Sequence, residues 1–248
     1  MSCEKAFPTF SRAASRLLDL FFPRDCQLTG EPVDNAPWRY LSAAGLDALP
    51  RITGPYCETC GHPFYGLLAG PQRCPHCQEL DPVFHRGKAA VLAKKAGRHL
   101  VHILKYRQGT WLVDDMARIM MTTPGFPAFL DGAVLVPVPL HRKRQHHRGY
   151  SQTHFLAAAL ARLQPTLRVA SMLERVRATP TQTRLNREQR ERNVQDAFAL
   201  RRGVTVDGTA RYVVLDDVFT TGATLNACCE VLVDAGAEWV DVAMFAHG

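Results

Sequence analysis

A chain of 248 residues has room for one ordinary domain and a smaller one, and with 46% hydrophobic and 21% charged residues it is composed like a folded protein rather than a disordered one. Its formal net charge of +7 favours an anionic partner. No apolar run approaches the roughly 18 residues needed to cross a bilayer, which excludes helical membrane spans.

From the N-terminus, FSRAASRLLDLFFP (10–23) has the pattern of an amphipathic helix, with Asp19 inside its apolar stretch. No small-residue cleavage site is present, which argues against a signal peptide. Only Arg12 and Arg16 are basic there, which favours packing on the protein body over a membrane surface. Eight cysteines follow an uneven pattern, and four of them form CETC (57–60) and CPHC (74–77). In a cytoplasmic chain, the expected location here, two C-x-x-C pairs read as a metal site rather than as disulfides. Cys57, Cys60, Cys74 and Cys77 would wrap one structural Zn ion, closed to water, with Gly61 allowing the tight turn after the first pair. Four thiolates can also hold an Fe–S cluster, and spacing alone leaves that open. His62 and His76 are expected at the surface beside the ligands. Cys26 begins a similar C-x-x- pattern, but Thr29 stands where its second cysteine would be, so a second zinc site looks lost. Cys228 and Cys229 read as small core residues.

Composition shifts near residue 85. Residues 1–84 are rich in Pro, Gly and Cys and read as an N-terminal helix with a small zinc-ribbon module; residues 85–248 read as a second domain. Within it, 88–109 reads as largely helical, with another helix over 110–121. AVLVPVP (133–139) is a strand, 149–163 a helix and 167–173 a strand. The arginine-rich stretch 175–194 is a long loop, and 196–200 a short strand. RYVVLDD (211–217) is a strand, 223–235 a helix ended by Gly236, and WVDVAMFA (239–246) a last strand. Strands alternating with helices make the domain α/β with a parallel sheet. No internal repeat is evident.

VVLDDVFTTGAT (213–224) carries the chemistry. TTGAT joins a strand to a helix, where backbone N–H groups and the helix N-terminus together bind an anion. Gly222 lets the backbone approach closely, and Thr220, Thr221 and Thr224 can donate to phosphate oxygens. Asp216 and Asp217, one step earlier, can accept from sugar hydroxyls or reach a magnesium ion. A ligand with phosphate at one end and a vicinal diol at the other is a ribose 5-phosphate.

These residues resemble the phosphoribosyl-pyrophosphate (PRPP) signature of type I phosphoribosyltransferases. Taken with the cysteine module, ILKYRQG (103–109), VPVPLHRKRQHHRGYSQ (136–152) and TPTQTRLNREQRERNVQDAF (179–198), the whole chain resembles the ComF family of competence and DNA-utilisation proteins. The resemblance implies a type I phosphoribosyltransferase-like parallel sheet with a small N-terminal zinc-ribbon domain. It implies PRPP as ligand with Mg, bound by Asp216, Asp217, Thr220, Thr221, Gly222, Ala223 and Thr224. Lys105, Arg142 and Arg144 would assist, and Asp216, Asp217 and Arg148 would take the catalytic roles in displacing pyrophosphate at ribose C1. Some purine-type members carry an acid at the position of Thr220, so purine salvage is disfavoured. The resemblance also implies a link to DNA uptake. An alternative reading is a non-catalytic module of the uptake machinery that holds single-stranded DNA, and meets DNA-uptake proteins, through its zinc ribbon and basic loops. Residues 177–193, with Arg177, Arg184, Arg187, Arg190 and Arg192, would form a lid over the phosphorylated ligand.

Overall fold

The computed structural model describes residues 24–64, 73–107, 109–140, 151–177 and 196–248. The helix expected over 10–23 lies outside them, as do Arg142, Arg144 and Arg148. The part of the expected lid from 178 to 193 also lies outside them. The chain divides into two compact units, Met1–Ala48 and Leu49–Gly248. The cysteine pairs at 57–77 therefore belong with the sheet, whereas composition alone suggested a boundary near 84.

In the first unit a tight knuckle surrounds Cys26. The Cys26 N–H donates to the Glu31 carbonyl (2.7 Å), the Gly30 N–H to the Cys26 carbonyl (2.8 Å) and the Val33 N–H to the Arg24 carbonyl (2.8 Å). Gly30 has φ +75°, the left-handed conformation this turn requires. Ser42 then caps helix α1 (Ala43–Asp47), its Oγ accepting from the Gly45 N–H at 3.2 Å. The second unit opens with the same construction. Cys57 N–H donates to His62 (2.7 Å), Gly61 N–H to Cys57 (2.7 Å) and Phe64 N–H to Pro55 (2.8 Å), and Gly61 has φ +79°. Cys74 then stands at the N-cap of helix α2 (Pro75–Leu80). So an internal repeat exists after all. It is carried by backbone hydrogen bonds and left-handed glycines, and the sequence hides it because Thr29, Ser42 and Gly45 stand where Cys60, Cys74 and Cys77 stand in the second copy.

The body of the second unit is a five-stranded sheet in the order β1-β7-β6-β2-β3. Its strands are β1 (Gly87–Leu92), β2 (Val134–Pro137), β3 (Arg168–Val169), β6 (Arg211–Phe219) and β7 (Trp239–His247). Every pairing in it is parallel, as strand–helix alternation predicts. The connecting helices are α3 (Lys95–Tyr106), α4 (Val113–Thr122), α5 (Phe126–Leu130), α6 (Gln152–Leu163) and α7 (Ala223–Asp234). None of the helices among the described residues is long and apolar enough to cross a membrane. The central strands are buried on both faces: Val213, Val214, Leu215, Val242, Ala243, Met244 and Phe245 are fully enclosed.

The structure differs from the sequence reading at two strands. Residues 88–92, read as helical, are strand β1, because a short apolar run buried on both faces shows no alternation to distinguish it from a helix. The strand expected over 167–173 divides into β3 and β4 (Leu173–Arg175). Strand β4 leaves the main sheet to pair antiparallel with β5 (Phe198–Leu200). Arg175 lies over the Phe198 ring at 5.2 Å, and Arg177 and Asp196, 4.0 Å apart, face each other where the hairpin's two arms end.

At the N-terminal edge of the sheet, the fully buried carboxylate of Asp241 receives Arg86 at 3.1 Å and Arg211 at 3.0 Å. Arg211 also donates to the carbonyls of Phe129 and Asp131, both at 2.8 Å. That cluster ties β6 and β7 to the end of α5. In open α/β sheets generally, ligands bind at the opposite, C-terminal edge.

Candidate functional site

Strand β6 outruns its neighbour. Its pairing with β2 ends at Pro137 and Leu215, and the Val138 N–H closes on the Leu215 carbonyl at 2.9 Å. Beyond that point β6 continues through Asp216 and Asp217 to Phe219, supported by β7 alone, with Phe219 level with His247. The two carboxylates thus lie at the C-terminal edge where β2 has already turned away. Alternation along the strand sends them to different sides. Asp217 is 4% exposed, while Asp216 is half-buried and its Oδ1 accepts the Asp217 N–H at 2.8 Å.

Lys105, in the last turn of α3, reaches this pair: its Nζ is 3.0 Å from Asp217 Oδ1. Burial opposes the ammonium charge, but the carboxylates of Asp217 and Asp216 outweigh it and raise the Lys105 pKa. Asp216 moves the other way from an ordinary acid. Burial, reinforced by the charge of Asp217 and partly offset by Lys105, raises it to about 7. One ammonium thus balances one of two acids, and the second acid stands ready for a cation or for hydroxyl donors.

The turn that follows has the form expected of an anion cradle. Gly222 has φ +81° and begins α7, a helix of 12 residues whose first-turn N–H groups point toward the turn. Thr221 Oγ1 accepts the Ala223 N–H at 3.4 Å, and the Asn226 N–H closes on the Gly222 carbonyl at 2.8 Å. Gly222 and Ala223 are buried, Thr221 and Thr224 half-buried and Thr220 exposed. The structure therefore brings Lys105, Asp216, Asp217 and residues 220–224 together on one strand, one turn and two helix ends.

The expected metal ligands also converge. The Sγ atoms of Cys57, Cys60, Cys74 and Cys77 all lie within 4.8 Å of one another, and every side chain is buried. Cys60 and Cys74 are 3.2 Å apart and Cys57 and Cys77 3.9 Å. A tetrahedral ion with metal–sulfur bonds of about 2.3 Å holds its sulfurs about 3.8 Å apart. The donor set thus fits a structural metal ion in a zinc-ribbon setting. In the first unit, Cys26 faces Thr29, Ser42 and the hydrogen of Gly45 instead. Burial alone would raise its thiol, yet hydrogen bonds with Ser42 and Thr29 bring it down to about 7.

Several site residues gave no signal in the sequence. His62 and His76 are half-buried rather than at the surface. Their rings lie 5.1 and 5.6 Å from that of His247, at the end of β7, and His247 stacks on Phe219 at 4.5 Å. Burial, with the neighbouring imidazoles adding to it, lowers His247 to about 4. Asn226, in the first turn of α7, accepts the Val83 N–H through Oδ1 at 2.9 Å. These are contacts across long sequence separations, which no local motif announces.

No family model matches the chain. Among curated proteins, DNA utilization protein YhgH of Salmonella typhi is 30% identical over 227 residues, covering 90% of this chain and 96% of that protein. Competence protein F of Haemophilus influenzae is 28% identical over 197 residues, covering 76% of this chain and 82% of that protein. Among solved structures, a hypoxanthine phosphoribosyltransferase from Staphylococcus aureus overlaps 54% of this chain and 62% of its own, with a TM-score of 0.31 and 12% identity. An overlap that partial says nothing of chemistry; the sequence relationship does not depend on it. With four converging thiols, a parallel sheet and a relative aligned almost end to end, the chain belongs to the ComF family, with competence protein F and DNA utilization protein YhgH.

Proposed function

We propose that the C-terminal edge of the sheet binds PRPP, or another ribose 5-phosphate, together with Mg. The observation that supports this best is the order of groups along one short path: Lys105 on Asp217, Asp216 beside it, then a left-handed glycine opening a helix among three threonines. The turn and the helix N-terminus would take the 5-phosphate. The carboxylates would take the ribose hydroxyls, and Asp216 and Asp217 are the residues that would hold Mg. That ion, when bound, would neutralise pyrophosphate as it leaves C1. The chain's own part is electrostatic. Preplaced N–H groups and Lys105 orient the phosphorylated ribose, and the ionised acids stabilise the positive charge that develops at the ribosyl centre.

The chain is thus read as a phosphoribosyltransferase-like protein of the cytoplasm, serving DNA uptake or utilisation as its relatives' names indicate. The expected roles of Arg142, Arg144 and Arg148 at the pyrophosphate belong to the same proposal. The single-stranded DNA module is the second reading. The exposed rings of Tyr106 and Trp111, 51% and 37% exposed, supply stacking surfaces for it. Two acids at the centre of the site weigh against it, because a phosphate backbone gains nothing from them.

Thermal unfolding with PRPP and Mg tests the proposal. A ligand at a hundred times its Kd stabilises the fold by roughly 2.7 kcal/mol. The melting temperature of the wild type should rise accordingly, and Asp216→Asn with Asp217→Asn should abolish the rise. An equal rise in both proteins would refute the assignment.

A further inference from the structure

The cysteine module does more than cap the end of the sheet. Helix α2, which follows its N-cap Cys74 and contains Cys77, has only six residues and no side-chain hydrogen bond at its N-cap. A helix of this length does not persist on its own. The helix and the residues just after it meet the end of β6, the anion turn and the start of α7 at three successive points. His76 meets Phe219 edge-on at 6.3 Å, in the last residue of β6. Leu80 packs on Gly222 so closely that a Cβ built on the glycine would lie 2.6 Å from Leu80 Cδ2. Val83 donates its N–H to Asn226, which in turn donates to Glu230 at 2.8 Å within α7.

The first pair of cysteines is anchored just as closely to the sheet. The Gly87 N–H donates to the Glu58 carbonyl at 2.9 Å, and a Cβ on Gly87 would meet the Thr59 carbonyl oxygen at 2.7 Å and Cys60 Cα at 2.8 Å. One knuckle is thus fixed to β1, the other carries α2, and the four thiols join them.

We propose that the metal-bound cysteine module is the positioning element of the anion turn, with Leu80 its contact residue. The metal ion joins α2 to the knuckle fixed on β1. Through His76, Leu80 and Val83, α2 and the residues after it hold the end of β6, the turn and the first helical turn of α7 in the shape that binds phosphate. Leu80 touches no ligand in this account and acts through Gly222. The inference rests on the functional reading above only for the identity of the ligand; the coupling itself is a property of the ligand-free protein.

Hydrogen exchange on the full chain separates the two. Chelating the metal should speed amide exchange of residues 220–226 by about tenfold or more, while β2 and the first half of β7 keep their protection. Leu80→Ala, made with the metal retained at the wild-type amount, should raise exchange in 220–226 by about tenfold and weaken Mg–PRPP by a similar factor; Leu80→Met should restore both. Exchange at 220–226 that is unmoved in Leu80→Ala, or that rises equally throughout the sheet, overturns the coupling. If local exchange responds as stated but the wild type binds no PRPP, the coupling stands and the ligand assignment falls.

Discussion

Replacing Gly222 with alanine perturbs the proposed phosphate turn at its tightest point, and its cost can be worked from the structure. Two contributions arise. Gly222 has φ +81°, and placing a side chain in the left-handed region costs about 1–2 kcal/mol. The added Cβ would also lie 2.5 Å from Phe219 Cζ and 2.6 Å from Leu80 Cδ2. Carbon atoms pack comfortably at about 3.5–4.0 Å, so the ring or the leucine must move by about 1 Å. Overpacking of this kind costs a further 1–3 kcal/mol or so. The sum is about 2–5 kcal/mol, or roughly 4–20 °C in melting temperature at 2–4 °C per kcal/mol for a chain of this size. Gly132 supplies the control. It has φ +66° with nothing within 4 Å of its Cβ position, so Gly132→Ala should lose only the backbone part. Urea unfolding of both variants, metal loaded, measures the difference. Equal destabilisation would mean that the turn is not packed against Leu80 and Phe219, and the account of the turn would fail.

Raised to about 7, Asp216 is neutral below that pH, so its contribution to the ligand-free fold is full below the ordinary carboxylate range and lost as pH rises through about 7. Mg–PRPP needs the ionised form, so its affinity, titrated by calorimetry, should fall toward about tenfold per unit as pH drops below 7; a flat profile from pH 5.5 to 8 would contradict this. Asp241→Ala strands Arg86 and Arg211 beside a buried void. Because both arginines are partly exposed, we expect a loss of about 2–3 kcal/mol in urea unfolding rather than the full cost of an enclosed charge. Elemental analysis should find one metal ion per chain in the wild type. The combined Thr29→Cys, Ser42→Cys and Gly45→Cys variant should hold a second, because the Cys26 knuckle already has the backbone of the first; a count unchanged in the variant would refute the structural repeat as a metal frame.

What could be read from the sequence was local. The strand, turn and helix from Arg211 to Asp234 and the four metal ligands follow from short spacings, and the structure brings both groups together. Lys105 was legible only through family resemblance, since a lysine near a helix end is ordinarily solvated. Strand β1 was not legible, because burial on both faces erases its alternation. The repeat was legible only as the broken Cys26–Thr29 pair, because three of its four cysteines are replaced and backbone hydrogen bonds leave no mark in composition. The contacts of His76, Leu80 and Val83 with the anion turn join residues more than 130 positions apart, and no periodicity spans that distance.

Calorimetric titration of PRPP into the metal-loaded protein, with Mg and then with EDTA, tests the PRPP assignment. One PRPP per chain should bind saturably with Mg. Binding should weaken at least about tenfold, the equivalent of 1.4 kcal/mol, in EDTA and again in Asp217→Asn. No heat of binding under any condition, or binding indifferent to both Mg and Asp217, would contradict it.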